Sequence, residues 1–313
     1  MGTVHDTVLH IRQRVAALGH GNWLLAVSGG MDSMVLLDAA AETLDHASLT
    51  VATFDHGTGP AARSAADLVA SRALDLGVGC VSGSAAAVGH SESEWRAARW
   101  NFLSDVAERL GATVVTAHTL DDQVETVMIR ALRGAGPRGL AGLFAASPVA
   151  RPLLETTRAE IAQYAAGDGT PYIDDPSNTD RRHLRNRVRL DILPALERTS
   201  PGFSNSLLEI AEKASSWRAQ MEAIALTFPM MSDSPQNHSF QRRPLREFSV
   251  DSLRCLWPAL CARAGVVLDW RGTERLAAFT IEGETGQQIQ LSGGVGVHME
   301  RQAISFRPAG SNG

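Results

Sequence analysis

The first half of the chain alternates short apolar runs with stretches whose apolar residues recur every three or four positions. Trp23 to Val27 is an apolar run that stops at Ser28, Gly29 and Gly30, then resumes from Met31 to Ala40 with helical spacing. That pattern predicts a strand, a tight turn and a helix. Leu49 to Phe54 reads as a second strand, Ala61 to Leu76 as a helix, Val78 to Val81 as a third strand and Glu92 to Leu110 as a helix. Ala112 to Ala117 with Leu120 to Leu132 repeats the pair, and RPLL at 151–154 with Thr157 to Ala166 repeats it again. Ahead of them, Val8, Ile11, Val15 and Leu18 mark an amphipathic helix. Such alternation implies α/β architecture, a doubly wound parallel sheet with helices on both faces, because each parallel connection needs a crossover. Val188, Ile192 and Leu196 form the apolar stripe of an arginine-studded helix, and from about Phe203 the alternation stops. Helical patterns continue to Leu226, near Val250 to Ala264 and near Gly272 to Phe279, while the polar stretch 229–238 reads as a linker. Gln287 to Phe306 alternates around Gly293 and Gly294 as a small β meander. The expected division is therefore 1–202 and a smaller, mostly helical domain at 203–313.

Composition adds little to this outline and charge adds more. Hydrophobic residues at 44% and charged residues at 20% are ordinary for a soluble globular protein of 313 residues. The N-terminus lacks the pattern of a secretory signal and no apolar run reaches membrane-spanning length, so the expected location is cytoplasmic, with no membrane partner. Cys80, Cys255 and Cys261 are an odd number without C-x-x-C spacing, which points to buried thiols rather than a disulfide framework or a metal site. The net charge of −5 argues against nucleic acid, yet local clusters matter more than the sum. Arg181, Arg182, Arg185, Arg187 and Arg189 crowd one segment, Arg130, Arg133 and Arg138 a second, and Arg242, Arg243 and Arg246 a third. Each cluster alone is also what a solvated face looks like.

The chemistry-bearing residues gather where strands end. Gly29 and Gly30 let backbone N–H groups approach an oxyanion, with Ser28, Asp32 and Ser33 at the mouth of the following helix. No lysine stands where a Walker A loop needs one to reach between β- and γ-phosphates, so the loop suits pyrophosphate. Asp55 and His56 follow the second strand and His118 the fourth. Parallel sheets bind ligands beyond such carboxyl ends. Asp122 and Glu125 lie three apart, on one face of the helix after His118. Two acids near a helix N-terminus also complement its dipole, so a pocket and a cap are both open readings.

SGGMDS matches the signature of PP-loop ATP pyrophosphatases. Together with FDHG, the block at Glu94, Arg99 and Trp100, TAHTLDDQVET, RGAGPRGLAGL, RPLL and DDPSNTDRRHLRNRVR, it resembles the tRNA(Ile)-lysidine synthetases over residues 23–196. The resemblance implies a PP-loop, adenine nucleotide alpha hydrolase-like catalytic domain followed by a tRNA-binding domain. It implies ATP-dependent attachment of L-lysine to C2 of the wobble cytidine of tRNA(Ile), through an adenylated cytidine, with Mg²⁺ on the polyphosphate. Ser28, Gly29, Gly30, Asp32, Ser33, Asp55 and His56 would hold ATP, and Asp32 would approach the metal. His118, Asp122, Glu125 and Arg99 would line the lysine and cytidine pocket. Arg133, Arg138, Arg185, Asn186 and Arg189 would meet tRNA, and a homodimer is left open.

The chain departs from that family pattern at Thr58, Gly59 and Pro60 after the D-H-G block, at Thr119 where a second histidine is usual, and at Trp95. These departures bear on nucleotide grip and pocket shape. SGGMDS alone also fits NAD or GMP synthetases and tRNA-thiolating enzymes. A thiolase reading lacks paired cysteines, an amidating ligase lacks a glutaminase region, and a non-catalytic RNA-binding relative would not need Asp32, Asp122 and Glu125 together.

Overall fold

The computed structural model describes residues 4–55, 57, 59–84, 92–234 and 237–308. Two compact units divide the chain: Met1–Ile129 with Ala146–Leu207, and Arg130–Ala145 with Leu208–Gly313. The helices that matter below are α1 (Val4–Ala16), α2 (Met31–Thr43), α3 (Pro60–Asp75), α4 (Glu92–Leu110), α5 (Leu120–Leu132) and α6 (Arg158–Asp168).

In the first unit, β1 (Trp23–Ala26), β2 (Leu49–Asp55), β3 (Gly79–Ser84) and β4 (Thr113–Val115) form a parallel sheet in the order β3-β2-β1-β4. Because neighbouring side chains leave a strand on opposite faces, Leu24 and Leu25 enter different cores. Leu25, Val51 and Val115 pack with residues of α1, α2, α3 and α6, including Ile11, Leu36, Val69 and Ile161. Leu24, Ala52 and Val114 pack on Leu103 and Val106 of α4. The sheet is therefore doubly wound, as the alternation predicted. Strand order reverses direction between β1 and β4, so a topological switch point lies at their carboxyl ends. The α2 helix is fixed there by Asp38, which is buried and accepts from Arg72 Nε and Nη2 at 2.9 and 3.0 Å and from Thr170 Oγ1 at 2.7 Å.

Three sequence expectations fail in informative ways. RPLL is a turn rather than a strand: Leu154 N–H donates to the Arg151 carbonyl at 3.2 Å and Thr156 N–H to Leu153 at 2.9 Å, and only Ala150 bridges the sheet, at Val115. Pro152 has no N–H for a ladder. Cys261 is buried, but Cys80 and Cys255 are exposed; Cys80 lies on β3, the edge strand. The linker expected at 229–238 is instead a hairpin, β5 (Met230–Ser234) and β6 (Asn237–Gln241), joined to the terminal meander.

That meander consists of β7 (Gln288–Leu291), β8 (Val295–Met299) and β9 (Ala303–Pro308), giving an antiparallel sheet in the order β5-β6-β9-β8-β7. The helices at Val250–Arg263 and Trp270–Glu282 cover it. Its core centres on Trp257, whose ring meets Phe306 at 5.6 Å and Phe240 edge-on at 6.1 Å, while its indole N–H donates to Thr280 Oγ1 at 2.8 Å. Among the described residues no helix is long and apolar enough to cross a membrane.

Candidate active site

The loop between β1 and α2 turns on one conformation that only glycine adopts cheaply. Gly29 has φ of 85°, and a Cβ added there would lie 2.9 Å from both the Cβ and the carbonyl oxygen of Ala65 on α3. Gly29 thus allows α3 to press against the loop. Ser33 Oγ donates to the Gly30 carbonyl at 2.8 Å and accepts from Ser28 N–H at 3.1 Å, closing the turn on itself. Leading N–H groups of α2 have no carbonyl four residues back to meet, so the mouth of the loop is electropositive. We expect Gly29→Ala to cost about 1–3 kcal/mol through backbone strain alone and to weaken ATP binding further; urea midpoints and nucleotide titration check this.

Asp32 stands in the first turn of α2. Its Oδ1 is buried without a hydrogen-bond partner among the described residues, and its Oδ2 lies 3.8 Å from Arg158 Nε. Burial pushes its carboxyl up to about 6, against the pull of Arg158 and with help from Asp122. An unpartnered carboxylate oxygen beside an anion-binding loop fits a magnesium ion shared with phosphate oxygens.

Arg158 leads from Asp32 to the acid pair. Its Nη2 is 3.3 Å from Asp122 Oδ1 and its Nη1 is 3.4 Å from Glu125 Oε1. Arg185 joins both acids, with Nε at 2.7 Å from Glu125 Oε2 and Nη2 at 3.0 Å from Asp122 Oδ1. Arg189 Nε reaches Glu125 Oε1 at 2.6 Å. Three carboxylates and three guanidiniums therefore form one nearly neutral cluster, with Glu125 only 1% exposed. Such bidentate contacts are the strong form of this interaction. The segment carrying Arg185 and Arg189 stays helical through a π turn, Val188–Ile192, in which Leu193 N–H donates to the Val188 carbonyl. Pro194 follows and has no N–H for the ordinary ladder, which accounts for the wider turn.

Asp122 serves two ends. Its Oδ2 accepts from Thr119 N–H at 2.9 Å and Thr119 Oγ1 at 3.2 Å, capping α5, while Oδ1 faces the arginines. Burial alone would raise this carboxyl, but Arg185, the Thr119 N–H and Arg158 hold it below the usual range. Thr119, fully buried, thus does capping work at the position where the family pattern has histidine. Beside it, His118 Nδ1 bonds Thr116 Oγ1 at 2.8 Å, and burial lowers its pKa to about 4, so the imidazole is neutral at pH 7.

A family model described as a PP-loop domain matches residues 4–196. A tRNA(Ile)-lysidine synthase of Parasynechococcus marenigrum is 33% identical over 305 residues, covering 91% of this chain and 88% of that protein. The chain belongs to the tRNA(Ile)-lysidine synthase family. Another lysidine synthase, from Methylobacterium nodulans, is 37% identical over 225 residues, 66% of this chain and 62% of that protein, and the Thermosipho africanus one is 34% identical with 47% of its length matched. This chain therefore spans less than two thirds of some lysidine synthases and most of others. The U34-tRNA thiolase NcsA of Methanococcus maripaludis, a protein with a [4Fe-4S] cluster, shares the fold at a TM-score of 0.56 and 18% identity, over 68% of this chain and 80% of that one.

Among the residues predicted from the lysidine synthase pattern, Ser28, Gly29, Gly30, Asp32 and Ser33 form the loop, and Asp122, Glu125, Arg185 and Arg189 come together beside His118. Asn186 is buried, its Nδ2 donating to the Asp180 carbonyl at 2.8 Å, so it braces its own segment. Asp55 ends β2 and accepts from Gly57 N–H at 2.8 Å; His56 lies outside the described residues. Arg99 is largely buried on α4, where burial and Arg96 lower its proton affinity. Arg133 is exposed and Arg138 pairs with Glu222 at 2.8 Å, both in the second unit. Arg158 was missed. Its N–H also donates to Asp121 Oδ2 at 2.7 Å, and Thr157 and Glu160 form a capping box around it. That box was legible as T-x-x-E, but it signals only a helix start, not where the guanidinium points.

Proposed function

We propose that this chain attaches L-lysine to C2 of the wobble cytidine of tRNA(Ile) in the cytoplasm, using ATP and passing through an adenylated cytidine. The observation that carries this reading is the junction at Arg158, which links Asp32 at the anion-binding loop, its Oδ1 without a hydrogen-bond partner among the described residues, to the acid and arginine cluster beside His118. One pocket then serves both half-reactions. In the first, cytidine O2 attacks the α-phosphate, a P–O bond forms and pyrophosphate leaves. In the second, the lysine ε-amine attacks C2, the C–O bond to AMP breaks and the amine loses its proton.

Ser28, Gly29, Gly30 and Ser33 cradle the polyphosphate through loop N–H and hydroxyl groups, and Asp32 would hold Mg²⁺. When bound, such an ion would supply charge neutralisation for the polyphosphate and its leaving group. Asp122 and Glu125 hold Arg185, Arg189 and Arg158 in place toward the nucleotide phosphates. Lysine's ammonium group meets the same acids by displacing part of this arginine contact. His118, neutral at pH 7, orients the base rather than donating a proton.

Omitting each substrate in turn tests the reading. Pyrophosphate release should require RNA and, without lysine, stop after about one equivalent per enzyme; sustained AMP release should require both. AMP formation without RNA would overturn the proposal.

A further inference from the structure

His118 lies in the short stretch between the end of β4 and the start of α5, and one neighbour decides which of its ring nitrogens carries the proton. Thr116 is buried just beyond β4, where its N–H donates to the Ala150 carbonyl at 3.0 Å beside the bridge from Val115 to Ala150. Its Oγ1 lies 2.8 Å from His118 Nδ1. A branched Cβ leaves this hydroxyl few rotamers, so a fixed backbone also fixes its direction.

Proton accounting sets the sense of that bond. A hydroxyl has one hydrogen to give, and a neutral imidazole has one N–H. Among the described residues Thr116 Oγ1 has no hydrogen-bond partner besides Nδ1, and His118 Nε2 has none. Were Nδ1 protonated, the threonine oxygen would accept and its own buried hydrogen would be left without an acceptor, which is costly. With the hydroxyl donating, Nδ1 accepts, and the ring proton sits on Nε2, the nitrogen left for a ligand. An arginine donating to Nε2 would force the opposite tautomer. Burial and Asp122 act most strongly on this ring, and Arg151, Arg185 and Arg96 are near enough for their charge to be felt, yet none of them donates to Nε2 among the described residues.

We propose that Thr116 is a positioning residue that holds His118 as the Nε2–H tautomer, so that the ring offers a hydrogen bond to N3 of the reacting cytosine. This rests on the reading of cytidine as substrate. Cytosine N3 is an acceptor, whereas uracil carries a hydrogen there, so a fixed donor favours the first base and opposes the second. Attack of the lysine amine on C2 shifts electron density toward N3 until the C–O bond to AMP breaks. A donor already in place stabilises that density without reorganising.

Nitrogen NMR of the substrate-free protein with isotopically labelled histidine reads the tautomer directly, and the signals lost in His118→Gln assign it among the 10 histidines. At pH 7 the wild type should show a protonated Nε2 and a bare Nδ1. Thr116→Val removes the hydroxyl at nearly constant shape. It should mix in the other tautomer and lower kcat for AMP release with tRNA and lysine by about tenfold or more, with the KM for ATP changed less than about twofold. Thr116→Ser, which keeps the hydroxyl, should retain both the tautomer and the rate. A protonated Nδ1 in the wild type overturns the proposal whatever the variants do, and so does an unchanged kcat in folded Thr116→Val. The NMR needs no substrate, so its failure is distinct from failure of the lysine-transfer reading, which is scored by lysine incorporated into RNA.

Discussion

Asp32→Asn is expected to abolish AMP formation and, at the same time, to stabilise the fold at neutral pH. The carboxyl is desolvated and one oxygen has no partner, so its pKa is raised from 3.8 to about 6. A raised pKa means the folded chain holds a proton that the unfolded chain has lost. Its contribution is therefore fully favourable below about pH 3.8 and is lost as pH rises through 6. A rise from 3.8 to about 6 corresponds to about 3 kcal/mol, and partial exposure reduces that, so the asparagine variant should gain about 1–3 kcal/mol at pH 7 and almost nothing at pH 4. His118 acts with the opposite sign. Its pKa falls from 6.5 to about 4, so its contribution is present above pH 6.5 and is lost as pH falls toward 4. In the wild type the two slopes largely cancel between pH 4 and 6.5. Removing Asp32 should expose a stability that rises with pH across that window, and His118→Gln should expose one that falls. Urea midpoints at several pH values measure both. Equal stability of Asp32→Asn and wild type at pH 7 would contradict the desolvated carboxylate.

Glu125→Gln should produce the largest loss of stability of any single charge removal in the first unit. Its carboxylate is only 2% exposed at the side chain and is shared by Arg158, Arg185 and Arg189. Neutralising it leaves three guanidiniums against two acids, Asp122 and the more distant Asp32. Breaking a buried pair in this way costs about 3–5 kcal/mol, because uncompensated charge stays behind. A second substitution, Arg189→Gln, should recover about 1–3 kcal/mol of that loss, since the two side chains touch and their effects do not add. In kinetics, Glu125→Gln should weaken lysine more than ATP. A midpoint within about 1 kcal/mol of wild type, or equal losses for lysine and ATP, would remove Glu125 from the centre of the site.

Local patterns in the sequence carried most of the first unit. The run from Trp23 to Ala40 encodes its strand, loop and helix within eighteen residues, and the switch point follows from the order of such pairs. What stayed hidden depends on contacts distant in sequence. Arg185 and Arg189 were readable as a basic cluster, but only the fold turns them toward Glu125, about sixty residues earlier. Arg158 had no pattern beyond its capping box. The strands at Met230–Ser234 and Asn237–Gln241 carry no clean apolar period; the first pairs with the second, and the second with Ala303–Phe306.

The central claim is that adenylation serves lysine transfer to one cytidine, and the most direct measurement follows isotopically labelled lysine into the RNA. A tRNA(Ile) transcript is incubated with the chain, ATP, Mg²⁺ and labelled lysine, then digested to nucleosides for mass analysis alongside AMP quantitation. The account predicts one lysine covalently held per AMP released, on the wobble cytidine alone, and none when that cytidine is replaced by uridine. AMP released from ATP and RNA with no labelled nucleoside, or label on another base, would contradict it.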